Sequence, residues 1–126
     1  YENKNDIINV SYKLAQKDIR ANIFRKILSW GSSFIYNIFF SEIKNYNVEV
    51  FTCSFRIYHV SKIKNIELNS EDFNCCAELM IKAMINKLNI IEIPGENIGR
   101  KFGYSKMNII KNIFNTLKTI FLIKKN

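Results

Sequence analysis

The stretch Val48-Glu49-Val50-Phe51-Thr52-Cys53-Ser54-Phe55-Arg56-Ile57-Tyr58 sets the fold class. It is rich in β-branched and aromatic residues, which suit a pleated, half-buried surface, so it reads as a strand. Upstream, Ile7 to Tyr12 is a second short β-like run. Between the two, apolar residues recur every three or four positions at Ile19, Ile23, Ile27, Trp30, Phe34 and Ile38, with a second row at Phe24, Leu28, Ile35 and Phe39. That period predicts a helix from about Asp18 to Phe40 with an unusually wide apolar face, which calls for deep burial or for contact with something greasy. Downstream, a short helix is expected near Ser61–Ile66, and a longer one from Asp72 to about Leu88 with Phe73, Ala77, Met80, Met84 and Leu88 on one side. Ile90–Ile93 reads as a strand stopped by Pro94-Gly95, and a polar loop from Glu96 to Tyr104 leads to a last helix from Ser105 to about Ile123. The order is mixed α/β.

The 126 residues are 48% hydrophobic and 24% charged, enough for a folded core. Net charge is +8, and from Lys82 onward nine Lys or Arg face only Glu92 and Glu96. Such a balance favours anionic partners: phosphate-bearing substrates, an anionic membrane or nucleic acid. No apolar run reaches the eighteen or so residues a spanning helix needs. Cys53, Cys75 and Cys76 form neither a disulfide framework nor a zinc spacing, and read as reduced thiols. His59 is the only histidine, and no Ser/His/Asp or Cys/His set can be assembled around it.

Two constellations have phosphate-binding chemistry. Gly99-Arg100-Lys101-Phe102-Gly103-Tyr104-Ser105-Lys106 joins clustered cations to a helix start bearing a hydroxyl, where backbone N–H groups and guanidinium favour an anion. A solvated basic loop would have the same composition. Arg25 and Ser29 lie one helical turn apart, a spacing that directs guanidinium and hydroxyl to one point, although a solvated helix face would also show it. Glu71-Asp72 reads as helix capping, and Glu78 as an i,i+4 partner of Lys82. The last helix has Met107, Ile110, Ile113, Phe114, Leu117, Ile120 and Phe121 on one side, bordered by Lys106, Lys111, Lys118, Lys124 and Lys125. A basic amphipathic helix of this kind binds an anionic membrane surface or packs on a core.

In this order the pieces resemble the C-terminal half of family 2 glycosyltransferases related to dolichyl- and polyprenyl-phosphate mannosyltransferases. The resemblance rests on Ser11, on Arg25 and Ser29, on Thr52-Cys53-Ser54-Phe55-Arg56-Ile57-Tyr58, on Glu78-Leu79, on Glu92-Ile93-Pro94, and on Arg100-Lys101-Phe102-Gly103-Tyr104-Ser105-Lys106. It departs from the family pattern at Tyr12, Lys13, Val50 and Ser54.

The resemblance implies a GT-A fold, with residues 1–104 forming the acceptor-side half of the catalytic domain and 105–126 an amphipathic helix at the membrane. It implies that a polyprenyl-phosphate oxygen attacks the anomeric carbon of a nucleotide-sugar with inversion. Arg25 and Ser29 would grip the acceptor phosphate, and Arg100, Ser105 and Lys106 would hold the phosphate-rich centre. The complete enzyme would use a divalent metal, Mg or Mn, on a D-x-D that these 126 residues lack, so the chain alone is expected to be inactive. The implied location is the cytoplasmic face of a membrane, with no nucleic-acid partner. The missing half would leave an unpaired strand border and an uncovered apolar surface. Two other classes stay open: a small basic nucleic-acid-binding domain, and a non-catalytic membrane-surface adaptor. Aromatics at core-like helical positions, rather than interleaved with cations on a strand, weigh against the first.

Overall fold

The computed structural model describes residues 5–11, 23–70, 74–95 and 109–125, the side chains of 23–29, 109 and 112 excepted. The elements are β1 (Ile7–Ser11), α1 (Ile23–Phe39), a 3-10 turn (Ser41–Asn45), β2 (Arg56–Tyr58), α2 (Val60–Ile63), α3 (Asn74–Ile85), β3 (Ile90–Pro94) and α4 (Ile109–Lys125). The three strands form one mixed sheet in the order β2-β1-β3. β1 runs antiparallel to β2, with Asn9 opposite Arg56, and parallel to β3, with Asn9 opposite Glu92.

Alternation along the strands separates two faces. Ile7, Asn9 and Ser11 are buried on one of them, where Tyr58 and Ile90 join the core. That core is built from Tyr36, Phe40, Ile43 and Phe51 against Ala77, Met80, Ile81 and Met84 of α3 and Ile120 and Ile123 of α4. The Tyr36 and Phe51 rings sit 5.5 Å apart in a tilted arrangement. The opposite face carries Ile8, Val10, Ile91 and Ile93, half-buried, and Ile57 and Phe55, exposed. An α/β sheet ordinarily covers such an apolar face with a second layer.

Several sequence expectations need correction. The strand expected over Val48–Tyr58 exists only at Arg56–Tyr58. Upstream of it, the backbone N–H groups of Glu49 and Val50 bond to the Glu92 carboxylate, at 3.0 Å each, instead of a ladder partner. Val50 and Phe51 turn into the core, so their β-prone side chains are used in a loop. α3 ends at Ile85 rather than Leu88, because Lys87 adopts a left-handed backbone with φ of 58°. Which apolar residues of the two long helices face inward was left open by the sequence: in α1, Trp30, Phe34 and Ile38 are exposed and Tyr36 is the buried anchor. α4 packs through Thr116, Thr119, Ile120 and Ile123 and leaves Ile110, Ile113, Phe114, Leu117 and Phe121 outside. The expected start at Asp18, the Glu71-Asp72 cap and the loop from Glu96 to Tyr104 lie outside the described residues.

Candidate functional site

One polar row crosses the buried face of the sheet. Arg56 Nε donates to Asn9 Oδ1 at 2.6 Å, and Asn9 Nδ2 donates to Glu92 Oε1 at 2.6 Å and to the Val50 carbonyl at 2.9 Å. The Arg56 guanidinium also donates to the carbonyls of Cys76 and Phe51. The buried Asn9 amide and the half-buried Arg56 guanidinium and Glu92 carboxylate are tolerated because each finds several partners. Their effect is to hold the 49–51 loop against the sheet and to tie it to the start of α3.

Beyond that row lie the carboxyl ends of the parallel pair, where α/β sheets commonly bind ligands. β1 ends at Ser11 and β3 at Pro94, and the Gly95 N–H donates to the Ser11 carbonyl at 3.1 Å. A Cβ on Gly95 would stand 2.1 Å from Val10 Cγ1, so glycine permits this close approach. The Ser11 hydroxyl is fully buried and has no hydrogen-bond partner among the described residues. In sequence, Arg25 and Ser29 follow the end of β1, and Arg100, Ser105 and Lys106 follow the end of β3.

Arg25 and Ser29 do lie on α1, one turn apart, but their side chains are outside the described set, as are Arg100, Ser105 and Lys106 entirely. The geometry therefore assigns those five no mutual contacts. Glu78 pairs with Lys82 at 2.8 Å as its spacing predicts, and does more. Its carboxylate accepts the backbone N–H groups of Asn69, at 2.9 and 3.0 Å, and of Ser70, at 2.8 Å, fixing the approach to α3. Burial alone would raise its pKa, but the Lys82 ammonium and the Asn69 and Ser70 donors outweigh that and hold it below the ordinary value. The three cysteines are free, and burial, with the neighbouring Cys75, pushes the Cys76 thiol up. His59 is exposed and shares a 2.9 Å contact with Ser61 Oγ.

Among the described residues no group of three His, Cys, Asp or Glu is arranged to hold a metal. Nor is any described helix long and apolar enough to cross a membrane. Sequence reading named Ser11 only through the resemblance and missed Asn9. The available signal was a polar residue at two of the three inward positions of an otherwise aliphatic strand. No protein-family model, no curated protein and no solved structure matches this chain.

Proposed function

We propose that this chain is the acceptor-side half of a sugar transferase that moves a sugar from a nucleotide-sugar to a polyprenyl phosphate with inversion. One observation carries the reading: Ser11 and Gly95 are adjacent, and in sequence the two phosphate-compatible constellations follow these two positions. Both reactants are anionic, so bringing an acceptor oxygen to an anomeric carbon requires fixed cations that act without reorganising. In this reading Arg25 and Ser29 hold the acceptor phosphate, and Arg100, Ser105 and Lys106 hold the diphosphate side. The acceptor oxygen forms the new bond to the anomeric carbon as the nucleoside diphosphate leaves with the old bonding pair. The apolar sheet face of Ile8, Val10, Ile57, Ile91 and Ile93 supports the further proposal that a second layer, bearing the nucleotide site, completes the domain.

A direct test is calorimetric titration of the chain with a short-chain polyprenyl phosphate. Binding that is lost in Arg25→Ala and in Arg100→Ala, with unchanged circular dichroism, is the expected result. Equal binding by the parent and both variants removes the site.

A further inference from the structure

We propose that α1 and α4 together form a docking face for an anionic lipid bilayer, with both helices in contact with it. This does not depend on sugar transfer; it stands on exposure and charge. Trp30, Phe34 and Ile38 follow one another at four-residue steps along α1 and are 66%, 67% and 60% exposed. On α4, Ile110, Phe114 and Phe121 are 69%, 68% and 70% exposed, with Ile113 and Leu117 between them. At 100° per residue these five fall within about a 100° arc of the helix. The buried arc of α4, from Thr116 to Ile123, is a different one, so this stripe is surplus to the core. The helices touch, and the Lys124 ammonium stands over the Phe39 ring at 5.1 Å.

Charge decides the occupant. Neither Ile23–Phe39 nor Ile109–Lys125 contains an Asp or Glu, whereas α4 presents exposed Lys118, Lys124 and Lys125 beside its apolar stripe. Lysines that flank aromatic and aliphatic side chains suit an anionic headgroup layer above acyl chains, and a Trp suits the interface itself. A second copy of the chain would bring like-charged lysine rows together at the same face. With no described helix able to span, the face lies on the bilayer rather than in it.

Trp30 is the only tryptophan, so its emission reports on α1 directly. The chain is mixed with vesicles of phosphatidylcholine alone or with added phosphatidylglycerol, with and without brominated acyl chains. On the anionic vesicles the chain should float, with Trp30 blue-shifted and quenched by bromine; on phosphatidylcholine alone binding should be weak. K118Q/K124Q/K125Q should lower affinity roughly a hundredfold, about fivefold per charge. F114S/L117S, at exposed positions that leave the fold intact, should abolish flotation. Absence of any shift on anionic vesicles overturns the proposal. So does flotation without Trp30 quenching, which would mean that α4 binds alone. A concentration-dependent dimer with the same blue shift in the absence of lipid would make the occupant a second copy and equally overturns it.

Discussion

Arg56 and Glu92, on the two outer strands of the sheet, are connected through a single side chain, the Asn9 amide, which accepts from one and donates to the other. The amide keeps the two charges apart while satisfying both, and the carboxylate then holds the backbone of Glu49 and Val50. This row joins the three described strands through their side chains, in addition to the backbone ladder.

Asn9→Leu should therefore cost about 1–3 kcal/mol, because it leaves a half-buried guanidinium and carboxylate each short of one partner. Urea unfolding of Asn9→Leu, Glu92→Gln and the double variant would check this. Strong non-additivity is expected, since the two positions share one network.

Glu78 makes stability depend on pH. Its folded-state pKa lies below the unfolded value, so its contribution is present above the ordinary carboxyl value near 4.5 and is lost as pH falls through the folded pKa. Glu78→Gln should remove this acid-side loss while destabilising the chain at neutral pH by about 3 kcal/mol, the low end for a buried pair that loses one charge, since Lys82 keeps some access to water. Thermal melts at pH 7 and pH 3.5 give both numbers.

Gly95→Ala should destabilise by about 2 kcal/mol through overlap with Val10 Cγ1. Adding Val10→Ala removes the obstructing methyl, and the double variant should regain part of that loss relative to the sum of the single effects. Thermal unfolding of the four proteins would measure it.

Ser11→Ala removes a buried hydroxyl that has no partner among the described residues, so stability should hold or rise by about 1 kcal/mol. A loss of that size, measured by urea unfolding, would mean the hydroxyl is bonded in solution.

The sequence made element type legible wherever spacing alone decided it. α3 was clear because its apolar residues serve a single buried face, and β3 because Pro94-Gly95 ends it sharply. The direction in which α1 and α4 face was not legible. Each has more apolar residues than the core uses, so periodicity could not choose between Tyr36 and Phe34, or between Thr119 and Phe121, as the inward residue. β2 was read too long because the propensity of Val48–Phe51 is the same whether those residues pack in a ladder or in a loop held by Glu92. At the candidate site, the i,i+4 relation of Arg25 and Ser29 follows from helix geometry. The adjacency of Ser11 and Gly95 depends on long-range parallel pairing, which no local pattern encodes.

The central claim is that acceptor phosphate and nucleotide-sugar meet beside the carboxyl ends of β1 and β3. Its most direct test is the rate of sugar transfer from nucleotide-sugars to polyprenyl phosphate by the complete gene product. The account expects transfer with inverted configuration, reduced on the order of a hundredfold or more by Arg25→Ala and by Arg100→Ala, as for removal of one transition-state donor. Transfer unchanged in both variants, or no transfer to any polyprenyl phosphate from a folded, complete product, would contradict it.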